Sequence, residues 1–428
     1  MYTAKLIIRL IKRARKLRRE WLTIRDIADK MKVDKNSVNK WINLPLIDEN
    51  NIPLEQIEKR GSKPWALKKH SEEEVKRIID IYNQMIQEKR FFINKHTIKE
   101  NYTHLHRSDI KENYIHYIMQ KHSLKKRQPK LLEKWKSKYM NYPENTISKL
   151  WDIIEGIDFV WPRYIEGDHQ PHSFLSRRYI RPDKHGKIDI IGAQTTQETI
   201  TRLVEDWETL PIPDVLKIDN DSAFGMLKAP NSARHIWMFT KWLLYLWISP
   251  LYSVPRSPWN NGNVEWQNSV FNSLFWKEIF FENSEHLQIE VTRFNTEYTE
   301  YSALINTSKE DKEKRKIQYK YIADILKDKW ITKDDCVNLD FIKNRDVTNL
   351  SCHKIYILRK VERLWDKEWE SEKWIIDVLW IPFELDKQYI NSIVFITLDT
   401  QAKTIEICQE QNGELSKILT KPYAIKNL

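Results

Sequence analysis

The chain has 428 residues, more than a single hydrophobic core of about 250 residues accommodates, so several domains are expected. Its formal net charge is +11, but roughly +17 of that sits in the first 140 residues, and the remainder is mildly acidic. A basic front end fits a polyanion, and DNA fits better than a membrane because no long uncharged apolar span or signal-peptide pattern is present. Cys336, Cys352 and Cys408 show no Cys-x-x-Cys spacing, which excludes a disulfide framework or zinc site and implies a reducing, cytoplasmic compartment. The 18 tryptophans are expected mainly as core filling.

In chain order, a basic run from Arg13 to Arg19 leads into Trp21, Leu22, Ile24, Ile27, Ala28 and Met31 at helical spacing. Lys32-Val33-Asp34 reads as a turn, and a second short helix carries Val38, Trp41 and Ile42 with Asp34 as N-cap. Two helices so joined form a helix-turn-helix or an ordinary helical hairpin with a solvated face. In the first case Lys35, Asn36, Ser37, Asn39 and Lys40 are the candidate major-groove contacts of a DNA-binding domain over 1–58. Residues 59–70 hold Gly, Pro and basic side chains without periodicity, a linker able to track phosphates. A second helical, helix-turn-helix-like DNA-binding domain is expected over 71–130, opened by a capping box of Ser71 and Glu74. Its basic end, 121–130, is either a solvated linker or a DNA-tracking arm. His104 and His106 lack the cysteines that a zinc set needs.

From Ile157 the pattern turns to strands, Ile157 to Ile165, His172 to Ile180 and Lys187 to Gln194. A helix over Thr195 to Leu210 follows, then a strand Val215 to Ile218, an apolar helix near Ala233 to Leu246 and a strand around Pro250 to Val254. A last helix opens at Asn261 and Gly262. This is the order of an RNase H-like mixed α/β core. Asp158 lies on its first strand, Asp219 at the end of the fourth and Glu265 in the first turn of the late helix. Phosphoryl transfer benefits from two divalent ions, and Mg²⁺ prefers oxygen ligands. Asp residues at strand ends are also common as turn formers.

The segments IDFVWPRYIEG (157–167), KIDNDSAFG (217–225) and SPWNNGNVEWQN (257–268) resemble the catalytic blocks of bacterial insertion-sequence transposases of the integrase-core group, the DDE type. Sixty residues separate Asp158 from Asp219, and 45 separate Asp219 from Glu265. The second gap is longer than in retroviral integrases, and the stretch 228–237 accounts for it. The resemblance covers a catalytic core over 150–285. It implies that Asp158, Asp219 and Glu265 are catalytic and hold two Mg²⁺ or Mn²⁺ ions. It places Pro258, Asn261 and Gly262 in the loop before the Glu helix, and Asn268 on that helix's DNA-facing side, so that Asn261, Gly262 and Asn268 join the DNA-binding candidates. The family has Gly after the Asp-Asn pair, where this chain has Asp221.

A charged helical connector over 286–345 and a small SH3-like β-barrel over 346–428 are expected to complete the chain. The function implied is transposition: binding terminal inverted repeats, freeing a 3′ hydroxyl and joining it to target DNA, in a homo-oligomer that pairs two ends on the bacterial nucleoid. The competing readings are a domesticated DNA-binding regulator without catalysis and a plain nuclease.

Overall fold

The computed structural model describes residues 4–20, 22–43, 71–124, 143–220, 223–224, 237–255, 257, 261–307, 317–343, 345–346, 350–366, 371–378, 381–390, 392–411 and 413–423. The linker 59–70, Asp221 and Pro258 lie outside them. Two compact units emerge, residues 1–79 and 80–428. In the first, α1 (Ala4–Arg19), α2 (Ile24–Met31) and α3 (Lys35–Ile42) enclose Ile11, Ala14, Leu17, Ile27, Ala28, Val38 and Trp41. Reciprocal bonds between Thr23 and Asp26 cap α2, Lys32 ends it in the left-handed conformation (φ 53°), and Asp34 accepts from Ser37 N at 3.1 Å to start α3. The turn and cap expected at 32–34 are present.

Helix α4 (Glu72–Gln87) starts at the expected Ser71–Glu74 capping box, with bonds of 3.0 and 3.2 Å. Helices α5 (Lys95–His106) and α6 (Glu112–Lys121) follow. Within this region, residues from Asp80 onward belong to the second unit. The reason lies in Phe91 and Phe92. Both are buried among Phe271, Phe275, Phe294, Tyr298 and Tyr301, and Phe91 N donates to Glu297 Oε2 at 2.7 Å. Two adjacent aromatic rings give no helical periodicity, and only a distant helix covers them.

The second unit is a mixed α/β structure. After α7 (Glu144–Leu150) come β1 (Ile154–Arg163), β2 (His172–Arg181), β3 (Gly186–Ile191), α8 (Thr196–Asp206), β4 (Val215–Ile218), α9 (Met238–Tyr245), β5 (Ser249–Tyr252) and α10 (Gly262–Val270). Helix α10 runs on as a π-helical turn over Phe271–Trp276. Strands β1, β2 and β3 are an antiparallel meander, and β4 joins β1 in parallel with Gly156 beside Lys217. Strand β5 then pairs parallel with β4. Strands with helical crossovers bury both faces, which is why Val215 to Ile218 are buried at every position.

Helix α11 (Ser284–Thr307), most of which falls in the helical connector expected over 286–345, packs into the core. Leu287, Val291, Phe294, Tyr298 and Tyr301 recur every three or four residues and pack on β3 and Phe92. Asn295 accepts from Ile188 N at 2.9 Å and donates to Ile188 O at 2.8 Å, replacing the missing neighbour of this edge strand. Short helices α12 (Ile322–Lys329), α13 (Lys333–Val337) and α14 (Leu339–Lys343) follow.

The tail also departs from expectation. Its strands are β6 (Lys354–Lys360), β7 (Glu362–Asp366), β8 (Ser371–Val378), β9 (Ile381–Leu385), β10 (Ile393–Asp399), β11 (Thr404–Gln411) and β12 (Glu414–Pro422). Strand β6 pairs with β5, so the tail extends one nine-stranded sheet, ordered β12-β11-β10-β6-β5-β4-β1-β2-β3, while β7, β8 and β9 make a second sheet. The described residues therefore form no self-contained barrel over 346–428. Trp374, Ile376 and Phe383 share a core with Ile157, Leu216 and Phe239, because the open edge of β5 is filled by β6. No described helix is long and apolar enough to cross a membrane.

Gly186 marks where β3 meets α10 and α11: a Cβ there would fall 2.0 Å from Gln267 Oε1 and 2.4 Å from Tyr298 Cε1. At Gly192 the nearest atom would be 3.7 Å away. Gly186→Ala is expected to lower unfolding free energy by about 1–3 kcal/mol through overpacking, read as a drop in the denaturant midpoint, with Gly192→Ala close to wild type.

Candidate active site

Alternation along β1 sends Ile157 and Phe159 to the core shared with α8 and α9, and Gly156, Asp158 and Val160 to the face covered by α10. On β4 the same face receives Val215 and Lys217, beside Ile154 and Gly156. Asp219 follows two residues on, at the point where the strand has ended. Its two chain neighbours are tied to the segment after β5: Ser253 N donates to Ile218 O at 2.9 Å, and Asn220 Nδ2 donates to Ser253 O at 2.8 Å.

Helix α10 brings the third carboxylate. Asn261 is its N-cap residue, yet the Asn261 side chain does not cap; Nδ2 donates instead to Ile157 O at 3.2 Å. Val264 closes on Gly156, where a Cβ would lie 2.7 Å from Val264 Cγ2. Gln267 Nε2 donates to Arg177 O and Lys187 O, each at 2.9 Å, and Asn268 Nδ2 donates to Asp158 Oδ2 at 2.9 Å. Four contacts on one helix face thus fix the rotation that turns Glu265, in its first turn, toward the strand ends. The N-terminal end of a helix also favours a negative side chain.

The three acids feel one another. Burial, then the charges of Asp219 and Glu265, push the Asp158 carboxyl up to about 7. Glu265 is raised by burial, opposed by the Lys217 ammonium and reinforced by Asp219. Other buried acids are treated differently. On the opposite face, Glu155 Oε1 accepts from Arg177 Nε and Nη2 at 2.9 and 2.6 Å and Glu155 Oε2 from Trp207 Nε1 at 3.0 Å, while Asp206 accepts from Arg177 Nη1. Lys187 extends that cluster by pairing with both Asp206 and Asp189, and Asp189 is pushed up to about 6 by burial and the Asp206 charge, so cations are built into this face beside its acids.

Two Asp and one Glu form the all-oxygen donor set that a hard divalent cation takes. Among the described residues no three His, Cys, Asp or Glu side chains are drawn close enough to enclose an ion. Asn261 Oδ1, Asn268 Oδ1, Asn220 Oδ1 and Ser253 Oγ are buried here without hydrogen-bond partners. Orphaned polar atoms beside an acidic face suit the hydration shell of a bound cation. A cavity of about 610 Å³ lies elsewhere, lined by Ile188, Asp189, Arg202, Thr292 and Asn295, with both charge signs present. It does not touch the acids, and its mixed lining selects no ligand.

Of the other candidate residues, Lys35, Asn36 and Asn39 are exposed on α3, and Ser37 is partly covered; Lys40 is on the same helix. Gly262 is exposed, with open space where a Cβ would stand. Asn261 and Asn268, the other two DNA-contact candidates, are held by bonds within the chain. Asn261 is 3% exposed, and the amide of Asn268 is engaged by Asp158. Sequence reading passed over Lys217 and Gln267. The signal for Lys217 was available: a lysine inside the apolar run Val-Leu-Lys-Ile, on the same parity as Asp219.

No known protein family and no curated protein matches the chain. Among solved structures, a chain of the simian T-cell lymphotropic virus intasome in complex with PP2A regulatory subunit B56 gamma is similar over 32% of this chain and 46% of that one. The identity is 16% and the TM-score 0.26. The chain therefore spans less than half the length of that relative, and a likeness of this degree bears on neither activity nor partners.

With divalent ions chelated, Asp158→Asn removes a carboxylate held against its neighbours. The folded pKa of about 7 lies above the ordinary 3.8, so the wild type is unpenalised below pH about 4 and loses stability as pH rises toward 7. The variant is expected to melt about 2–5 °C above wild type at pH 8. The gap should close as pH falls through that window, in thermal unfolding with EDTA.

Proposed function

We propose that the chain is a DDE-type polynucleotidyl transferase, the transposase of an insertion sequence, with an RNase H-like core. The observation that carries this is the convergence of Asp158, Asp219 and Glu265 from β1, the end of β4 and the first turn of α10, where burial first and then the charges of the other two push Asp158 up. The order β3-β2-β1-β4-β5 supports it, since it is the arrangement an RNase H-like core requires. So do the sequence blocks around the three acids.

In this reading Asp158, Asp219 and Glu265 hold the metal. Two Mg²⁺ or Mn²⁺ ions, when bound, supply an activated attacking oxygen and stabilise the leaving one. Asn268 keeps the Asp158 carboxylate oriented by donating to one of its oxygens. Gln267 and Val264 hold α10, and hence Glu265, against the sheet. The open acidic face admits a phosphodiester backbone, with water as nucleophile in cleavage and a 3′ hydroxyl in joining. The α2–α3 pair acts as a helix-turn-helix, with exposed Lys35, Asn36 and Asn39 in the major groove of the terminal repeats. Because two ends must be joined in one reaction, the working form is a homo-oligomer on double-stranded DNA, in the bacterial cytoplasm at the nucleoid.

The test is strand transfer of a labelled element end into plasmid DNA with Mg²⁺ or Mn²⁺. Asp219→Asn and Glu265→Gln are expected to lose cleavage and joining by about 10³-fold or more, while binding the ends with wild-type affinity. Lys35→Ala combined with Asn39→Ala should weaken end binding about tenfold, measured by gel shift. End binding without cleavage by the wild type would favour a regulator, and cleavage without joining a nuclease.

A further inference from the structure

Lysine is among the residues least often buried, because its ammonium gives up hydration on leaving water. Lys217 is only 5% exposed, in the middle of the sheet. Its place in the register explains how it fits. The neighbouring position on β1 is Gly156, which has no side chain of its own and is covered by Val264 and Asn261 from α10, and Leu251 on β5 is the neighbour on the other side. Val215 and Leu251 on the same face are apolar. Asp219 stands two residues on with the same parity, and Val264, the residue before Glu265 on α10, sits against Gly156, the register neighbour of Lys217. Asn261 Oδ1, buried and unpartnered, would lie 3.4 Å from a Cβ on Gly156 and adds a negative dipole at this point.

We infer that Lys217 is a positioning residue, a built-in counterion that holds Glu265 over the strand ends before a divalent ion binds and limits how tightly that ion is then held. The inference rests on the metal-binding reading of the three acids. Without Lys217, the three carboxylates of this half-buried face would lose a cation at this point, since Arg178, buried on the same face, is engaged by the Tyr298 hydroxyl and the Trp266 ring, and α10 would carry the strain through its first turn. The ammonium is consistent with this, since it draws the Glu265 carboxyl down against the effect of burial. The same positive charge repels an arriving cation. A divalent ion feels it twice as strongly as a carboxylate does at equal distance, so its loss strengthens ion binding even though it loosens the empty site. Such an arrangement keeps the acids in place while leaving the ions exchangeable.

Two readouts on the full chain separate this role from general packing. Mn²⁺ titrated calorimetrically into Lys217→Met should bind about tenfold more tightly than to wild type, with Lys217→Arg close to wild type. In EDTA, Lys217→Met should melt below wild type, and that deficit should disappear when Glu265→Gln is also present. Unchanged or weaker Mn²⁺ binding by Lys217→Met would overturn the inference. If Lys217→Met alone does not fold, recovery of folding by the double variant supports the pairing, and failure of the double variant overturns it. A wild-type chain that takes up no Mn²⁺ would remove the metal-site reading itself, and this inference with it.

Discussion

Helix α10 can lie against the sheet because residue 156 has no side chain. A Cβ there would stand 2.7 Å from Val264 Cγ2, closer than nonbonded carbons approach. From that contact the rest of the site follows. With the helix seated on β1, Asn261 reaches the Ile157 carbonyl at one end and Asn268 reaches Asp158 at the other. Glu265, between them, is turned toward the end of β4. Gln267 adds three donor contacts across β2 and β3, so the helix is fixed to three strands at once. A backbone hydrogen-bond ladder positions Asp158 and Asp219, but only this close packing positions Glu265.

The two faces of the sheet use charge in opposite ways. Beneath β1 and β2, Glu155 and Arg177 are fully buried and neutralise each other, with Trp207 and Asp206 completing the set. Removing one member there would strand the others, so the cluster is a constraint on folding. Above the same strands, Asp158, Asp219 and Glu265 are half-buried with too little positive charge, and Asp158 titrates near 7 as a result. Glu155 and Asp158, three residues apart on one strand, thus belong to a cluster built with its own cations and to a group of acids facing one another. Perturbed acids that structure leaves unresolved are a mark of a functional site.

The same core also explains why the chain is less modular than its composition suggests. Phe91 and Phe92 complete an aromatic cluster whose other members come from the π-helical turn and α11, including the stacked pair Phe92 and Tyr301. At the far end, β6 adds to β5 and carries the tail's meander into the sheet. Segments that read as attachments are thereby parts of the framework that holds α10 and the strand ends in place.

What the sequence determined by itself was local. Asp34, Ser71 with Glu74, and Thr195 cap helices as their side chains require, since each bond spans three residues. The strands carrying Asp158 and Asp219 were legible from β-branched runs between turns, and Glu265 from the Asn-Gly helix start. Tertiary structure alone decided which face each residue serves and what it meets. Asn261 and Asn268 look alike on paper, polar residues at the start and near the end of one helix, yet they hold a strand carbonyl and a carboxylate. Lys217 reads as one charge in a strand until parallel pairing sets it beside Gly156. The open edges of β3 and β5 likewise take their partners, α11 and β6, from far along the chain. Periodicity fixes the side of an element that must be covered, whereas the covering partner is chosen by long-range packing that no local pattern encodes.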